Sequence, residues 1–377
     1  MALMFTLMLL HAYVGWRLIP ALGFAPWLQA LLAALLVASW LLMPMAFRAR
    51  RIRSQPLSDR LAWSGLLLMG LFSSLFVLTL LRDVLLALAW VAALALPGVA
   101  WLQALAAPSA AAVPALALLL TLWGLVNARR TAQVVRVDVP IAQLPAALHG
   151  FTIAQISDVH VGATIKRGYL MAIVERINAL GADMVAVTGD LVDGSVRELA
   201  VHVAPLAALR SRHGTFFVTG NHEYYSGADA WVVELRRLGL RVLMNEHVLL
   251  HHGDASLALA GVADYGAHHF DEAQRSDPQA AIAGVPDATK VRVLLAHQPR
   301  SAAAAAQAGF HLQLSGHTHG GQFLPWNWLV RLQQPFTAGL NRWQGLWVYT
   351  SRGTGYWGPP KRLGAPSEIT HLRLVAA

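Results

Sequence analysis

The chain of 377 residues contains no cysteine, which excludes disulfides, thiolate metal ligands and a cysteine nucleophile. Acids are scarce at its start: before Thr131 there are two, Asp59 and Asp83, against nine arginines, whereas the rest holds eighteen acids and twenty Lys or Arg. Such a change of composition in a chain of this length indicates at least two regions. The early arginines lie between apolar runs, where they orient membrane segments, so we expect no nucleic-acid partner.

The first region lacks charge over long stretches and is predicted to be a transmembrane bundle over residues 1–128. Three runs without internal acids or lysines are each long enough to cross about 30 Å of hydrocarbon. They are Met1–Pro20, Phe24–Phe47 and Leu61–Leu81. Two weaker runs, Val84–Leu102 and Val113–Val126, make the predicted number of helices four or five. We predict a short interhelical turn at Arg82-Asp83, with a buried ion pair as the alternative.

The loop Arg48–Arg60 holds five arginines and is predicted to stay in the cytoplasm. Five crossings would then place the second region outside the cell, and four would reverse that result. We predict a multi-pass protein of the cell membrane, in contact with membrane lipids, and we favour an extracytoplasmic second region. The oligomeric state is left open.

The second region, residues 129–377, alternates β-branched runs with helical ones, as expected of an α/β domain whose sheets are covered by helices. Two helices are predicted, at Arg167–Leu180 and Ser301–Gly309. The predicted strands are Phe151–Ser157, Met184–Gly189, Thr215–Gly220, Val291–His297, His311–His317, Leu346–Gly353 and Glu368–Val375.

Five of these strands end in polar side chains that metals bind. The seven candidate ligands are Asp158, His160, Asp190, Asn221, His297, His317 and His319. Side chains two apart in an extended segment face the same side, so Asp158 with His160, and His317 with His319, can each face one ion. Seven donors are too many for one tetrahedral site and suit two divalent metals that share a carboxylate. Four imidazoles without sulfur favour Mn, Fe or Zn.

The motif order D-x-H, G-D, G-N-H-E, H and G-H-x-H resembles the calcineurin-like metallophosphoesterase family over about Arg136 to Ala377. The resemblance implies two stacked mixed β-sheets flanked by helices, with the metal site at the carboxyl ends of the strands. The ending Ser351–Thr370 and the multi-span leader are similar to a membrane-associated bacterial branch of that family. Analogy with that branch implies phospholipid-like or nucleotide-lipid diphosphate substrates.

The resemblance also implies a role for each motif residue. Asp190 would bridge the two metals and so take part in catalysis. His222 would face the substrate, steadied by Glu223 at a position where many relatives have aspartate. The implied ligands of one metal are Asp158, His160, Asp190 and His319. Those of the other are Asp190, Asn221, His297 and His317.

The expected function is therefore that of a membrane-anchored phosphoesterase with two metals. The expected substrate is a phosphodiester or diphosphate of a lipid or nucleotide-lipid. Hydrolysis would proceed through attack of a metal-bridging hydroxide on phosphorus. The expected partners are membrane lipids and a phosphorylated substrate, for which a lipid is one alternative. One alternative is a membrane-anchored scaffold or regulatory protein with little turnover, but no motif is degenerate. Another is a transporter with a phosphoesterase appendage, but the spans lack the charges of coupled transport.

Two features near the C-terminus bear on the substrate. The apolar segment Phe323–Phe336 is either an amphipathic flap that contacts acyl chains or headgroups, or an ordinary part of the core. Lys361 and Arg362 are predicted to be a solvated pair.

Overall fold

The computed structural model describes residues 2–49, 52 and 54–377. Met1 and three arginines of the predicted cytoplasmic loop, Arg50, Arg51 and Arg53, lie outside the described residues. The chain divides into two compact units. The helical unit is Met1–Val126 with Gly358–Lys361, and the α/β unit is Asn127–Trp357 with Arg362–Ala377. The predicted domain border at 128/129 stays a prediction.

Within the described residues, the helical unit contributes four helices that are long and apolar enough to cross a membrane. They are α1 (Ala2–Leu18), α2 (Pro26–Arg48), α3 (Gln55–Ala95) and α4 (Ala106–Arg129), the last ending in the α/β unit. Large apolar side chains stay exposed along them, including Leu88 and Trp123. Apolar groups facing outward are the pattern expected of helices solvated by lipid.

The 41-residue helix α3 joins the third and fourth predicted runs, so the predicted turn at Arg82-Asp83 is wrong. Asp83 instead accepts hydrogen bonds from Arg17 Nε at 2.7 Å, Tyr13 Oη at 2.7 Å and Arg82 Nη1 at 3.1 Å. Because three donors satisfy this carboxylate, the helix continues through it. Of the two predicted numbers of spans, four is the one found in the described residues.

Four residues of the helical unit, Gly358–Lys361, come from the far end of the sequence. Lys361 is buried, and its Nζ donates to the Gly70 carbonyl oxygen at 3.0 Å, to the Thr121 hydroxyl at 3.2 Å and to the Ser74 hydroxyl. Arg362, in the α/β unit, is also buried. The prediction of a solvated Lys361 and Arg362 pair is therefore wrong, because each side chain finds polar partners inside the protein.

The α/β unit contains two six-stranded mixed sheets, with strand orders β1-β12-β2-β3-β4-β5 and β10-β11-β9-β8-β7-β6. The first sheet is built from β1 (Gln133–Ile141), β2 (Thr152–Ile156), β3 (Met184–Thr188), β4 (Thr215–Val218), β5 (Arg241–Val242) and β12 (Glu368–Ala376). The second is built from β6 (Glu246–His252), β7 (Ala255–Gly261), β8 (Val291–Leu295), β9 (Leu312–Ser315), β10 (Gly339–Trp343) and β11 (Leu346–Thr350).

The two sheets stack face to face, because side chains from both form one buried cluster that includes Ile153, Met184, Leu259 and Leu312. Helices lie outside them. These are α5 (Arg167–Asn178), α6 (Val196–Val203), α7 (Asn221–Ser226), α8 (Ala228–Arg237), α9 (Pro278–Ile282), α10 (Ala302–Gln307) and α11 (Asn327–Val330). The predicted fold class, a transmembrane helical region followed by two stacked sheets flanked by helices, is confirmed.

All seven predicted strands are present, and five others were missed: β1, β5, β6, β7 and β10. Of the missed strands, β5 has two residues, and β6 carries exposed polar residues such as His251. The predicted strands include the parallel neighbours β2, β3 and β4 of one sheet and β8 and β9 of the other. Parallel neighbours end at the same edge of a sheet, so the loops that follow them meet.

Candidate metal centre

Six of the seven predicted ligands form two clusters at the ends of these parallel strands. In each cluster, one ligand atom per residue lies within 4.8 Å of the others. The first cluster is Asp158, His160 and His319, and the second is Asp190, His297 and His317.

In the first cluster, the His160 Nε2 and His319 Nε2 atoms lie 3.0 Å apart, and Asp158 Oδ1 lies 3.5 Å from His319 Nε2. The His160 Nδ1 atom lies 3.1 Å from Asp193 Oδ1. A proton on Nδ1, donated to that carboxylate, leaves a lone pair on Nε2 toward the cluster. Both features suit a cation held by Nε2 atoms and a carboxylate.

The second cluster shares a carboxylate oxygen with the first. Asp190 Oδ2 lies 3.2 Å from His297 Nε2 and 3.9 Å from His160 Nε2, so it stands between the two clusters. His317 Nδ1 lies 3.3 Å from His297 Nε2. The His297 Nδ1 atom lies 2.7 Å from the Thr188 carbonyl oxygen, which accepts its proton and frees Nε2. Asp190 is placed as a bridging ligand would be.

Asn221, the seventh predicted ligand, begins α7. In the part of the chain that the structure describes, its side-chain oxygen is buried and has no hydrogen-bond partner. A buried polar atom without a partner costs about 1–3 kcal/mol, and a metal ion would satisfy this one. Together with the nitrogen and carboxylate donors of both clusters, Asn221 therefore fits the divalent ions that the motifs predict.

The local geometry of the paired ligands differs from the one predicted. Asp158, His160, His317 and His319 have φ angles of 54°, 54°, 70° and 51°, in the left-handed region, and they follow β2 and β9 instead of extending them. The explanation from strand alternation is therefore wrong, although the side chains do converge. Left-handed backbone at a non-glycine residue costs about 1–3 kcal/mol and is concentrated at functional sites.

Glycines let the ligand loops approach each other. A Cβ on Gly220 would lie 2.2 Å from Asp190 Oδ1, and one on Gly316 would lie 2.2 Å from Asp158 Oδ2. Neither position has room for a side chain.

His222 lies beside the clusters, as predicted, but its partner is Asp193, which the sequence reasoning missed. His222 Nδ1 lies 2.6 Å from Asp193 Oδ1. Burial alone would lower the pKa of His222, but the hydrogen bond to Asp193 and the nearby carboxylate charges raise it to about 9. Burial would raise the pKa of Asp193, but the charges and hydrogen bonds of His160 and His222 hold it below its usual value.

The predicted role of Glu223 as the residue that steadies His222 is corrected by its contacts. Glu223 is fully buried, and its carboxylate accepts hydrogen bonds from backbone amides of four residues at 2.6 to 3.3 Å. These are the amides of Asp190, Leu191, Val192 and Gly220. Glu223 therefore positions the loop that carries Asp190, and its catalytic role stays a prediction.

Comparisons with known proteins agree with this geometry. The family description "Calcineurin-like phosphoesterase" matches residues 151–321, which contain all seven candidate ligands. An "Uncharacterized metallophosphoesterase" of Aquifex aeolicus is 33% identical over 219 residues, which are 58% of this chain and 82% of that protein. The chain belongs to the calcineurin-like metallophosphoesterase family.

Relatives of this metallophosphoesterase also include membrane proteins. A "Transmembrane protein with metallophosphoesterase domain" of Bos taurus is 41% identical over 271 residues, 68% of this chain and 60% of that protein. Another relative, an "Uncharacterized metallophosphoesterase" of Helicobacter pylori, is 40% identical over 222 residues, which are 58% of this chain and 58% of that protein. The chain thus spans about 60% of the length of these two relatives. Such names and the four apolar helices support a membrane protein.

A crystal structure described as a putative 5'-nucleotidase from Staphylococcus aureus covers 60% of this chain and 54% of that chain, with a TM-score of 0.37 and 13% identity. This likeness is too low to carry an argument. The metallophosphoesterase family binds divalent metals, and the two clusters are its candidate ligands here.

The apolar segment Phe323–Phe336 follows the last ligand pair and is largely exposed. Leu324, Trp328 and Leu332 have 47%, 66% and 81% of their surfaces exposed. The alternative of an ordinary core segment is therefore wrong for these side chains. Exposed apolar groups near one another mark an interaction surface.

Proposed function

We propose that this metallophosphoesterase hydrolyses a phosphodiester or diphosphate with two divalent ions, held by the ligand sets that the family resemblance implies. The observation that carries the proposal is Asp190 Oδ2, which stands between two imidazole-bearing clusters. When bound, two divalent ions supply Lewis acidity toward phosphoryl oxygens and lower the pKa of water at the site. Mn, Fe and Zn each suit these donors.

The protein's own contribution to the reaction is the pair of His222 and Asp193. Because His222 Nδ1 is held by Asp193, only Nε2 remains to give a proton to the departing oxygen. Asp193 fixes the ring orientation and does not touch the substrate, so it is a positioning residue.

The test of the reaction is metal-dependent hydrolysis of a chromogenic phosphodiester by the full chain in detergent, with Mn²⁺ returned after chelation. Wild type is expected to regain activity. Asp190→Ala is expected to lose at least a hundredfold, since even changes outside the ligand set cost about 10- to 100-fold. The matched control is Asp254→Ala, an exposed aspartate in the β6–β7 turn. Folded wild type that binds two metals and hydrolyses no phosphodiester or diphosphate would instead favour the scaffold.

The substrate that we propose carries a lipid or nucleotide-lipid group. The exposed apolar segment Phe323–Phe336 supports this, since tryptophan and leucine side chains bind acyl chains and headgroup layers. Replacing Trp328 with Gln should lower the ratio of lipid to soluble phosphodiester turnover, whereas Trp343→Gln, a change of another exposed tryptophan, should not. An unchanged ratio in Trp328→Gln would count against the lipid substrate.

We propose a cytoplasmic side for the phosphoesterase unit, and the four candidate spans support this proposal. With four crossings and the arginine-rich loop Arg48–Arg60 in the cytoplasm, both ends of the chain would be cytoplasmic, which reverses the side favoured for five. The chain has no cysteine, so single cysteines can be introduced at Ser54 and Asp254 without removing native ones. Equal protection of both from an impermeant thiol reagent in intact cells would support this topology. Labelling of only the cysteine at 254 would contradict it.

A further inference from the structure

Two aromatic rings flank His222 at the mouth of the candidate metal centre. The Tyr225 ring centroid lies 5.3 Å from that of His222, with 74° between the planes. The Trp357 ring lies 5.6 Å from the same imidazole, at 72°. His222, the side chain that we propose faces the leaving group, therefore lies beside two aromatic rings from two different segments.

These rings are unusually open to solvent. Tyr225, Trp357 and Phe270, which lies 5.6 Å from Tyr225, have 61%, 44% and 55% of their surfaces exposed. We call these three residues the aromatic rim. Large rings normally contribute to the core, and a group of exposed ones from three different segments marks a binding surface.

The rim is held in place by the residues behind it. Trp357 exchanges two hydrogen bonds with Gln322, from its N–H to Gln322 Oε1 and from Gln322 Nε2 to its carbonyl oxygen, both 2.9 Å long. Gln322 is three residues beyond the ligand His319. The Phe270 ring lies 5.4 Å from that of Tyr224, whose hydroxyl donates to Gln274 at 2.7 Å. Rings fixed in this way bind a flat partner at low entropic cost.

We propose that the aromatic rim binds a planar aromatic group, a nucleobase or aryl ring, carried by the leaving group of the phosphoester. This inference rests on the proposed function, since His222 marks the leaving-group side. Exposed aromatic rings bind flat groups by stacking, and stacking does not depend on which nucleobase is bound.

The kinetic test compares two phosphodiesters that have the same phosphate and the same ribose leaving alcohol, one with a nucleobase and one without. The variants are Tyr225→Leu and Trp357→Leu, with Trp343→Leu as the matched control, an exposed tryptophan of β10. The ratio of kcat/KM for the two substrates should fall about tenfold or more in both rim variants. It should stay at the wild-type value in the control. Because only the ratio is compared, a general loss of folded protein cancels.

The second measurement is equilibrium binding of adenosine to the metal-stripped full chain in detergent, by saturation-transfer NMR. We expect binding to the wild type and the Trp343 variant, weakened about tenfold in both rim variants. No adenosine binding to wild type, or an unchanged kinetic ratio, would overturn the inference. So would rim variants that instead lose binding to phosphatidylglycerol vesicles, because the rim would then be a membrane contact. If wild type binds adenosine but hydrolyses neither substrate and no diphosphate, the proposed function fails while the aromatic site stands.

Discussion

The helical unit and the phosphoesterase unit both contain poorly exposed carboxylates, but they neutralise them differently. In the helical unit, the Asp83 carboxylate is paired with the guanidinium groups of Arg17 and Arg82. In the phosphoesterase unit, the Asp158 and Asp190 side chains face imidazoles. The Nδ1 atoms of His160 and His297 face oxygen acceptors, so the Nε2 atoms of these two imidazoles can offer lone pairs to a metal ion.

The difference separates a structural charge from a functional one. Guanidinium groups satisfy Asp83 within the protein, so this residue needs no ligand. Carboxylates that converge with imidazole lone pairs need a cation from outside to balance their charge. The first arrangement stabilises the helices, whereas the second provides side chains that can bind metal ions.

The largest effect should come from His222, which the family resemblance places outside the ligand sets. His222→Ala should lower kcat by about 10²- to 10⁴-fold, because a positioned proton donor is lost. Metal content measured by mass spectrometry should stay that of wild type. His251→Ala changes an exposed histidine of β6 and is the control. Loss of a metal in His222→Ala would mean that the imidazole is a ligand.

Metal removal should destabilise the phosphoesterase unit alone. An ion at about a thousandfold excess over its Kd contributes about 4 kcal/mol to the free energy of unfolding. Chelation should therefore speed hydrogen exchange in the ligand loops after β2 and β9, and leave α3 unchanged. If chelation speeded hydrogen exchange equally in α3, the metals would stabilise both units and the contrast between them would be wrong.

Asp193→Asn should affect both the first cluster and the proton donor, because Asp193 contacts His160 and His222. We expect metal affinity to fall about 10- to 100-fold, the usual cost of losing a carboxylate behind a histidine ligand. Titration of the stripped protein with Mn²⁺ measures this, with Asp254→Asn as the control. Wild-type affinity in Asp193→Asn would show that this carboxylate serves only His222.

The sequence could predict that six of the seven candidate ligands come together, because each follows a strand and lies in a short motif. Asp193 was missed because its partners are 33 and 29 positions away along the chain. One signal was present: Asp193 is the second acid of the loop G-D-L-V-D-G that begins with Gly189. The role of Glu223 could not be inferred, since three of its four backbone partners belong to another loop.

The helical unit was predicted less well, for a physical reason. A charged pair such as Arg82-Asp83 is costly in lipid, so the sequence suggested a turn. The partner that lowers this cost, Arg17, is on another helix and cannot be seen in local sequence. The absence of Gly and Pro between Gly70 and Pro97 was the available sign of a continuous helix.

Asp83→Asn should have the smallest effect. Asparagine keeps the shape but removes the charge that Asp83 shares with Arg17 and the buried Arg82, so the free energy of unfolding should fall while catalysis stays unchanged. A double-mutant cycle with Arg17→Gln and the double variant measures the interaction energy between Asp83 and Arg17. The control is Arg60→Gln, which changes an exposed residue of α3. Phosphodiester turnover per folded molecule should not change. If Asp83→Asn lowered turnover without lowering stability, Asp83 would belong with the functional carboxylates. Pairing with guanidinium groups would then not be enough to identify a carboxylate of this protein as structural.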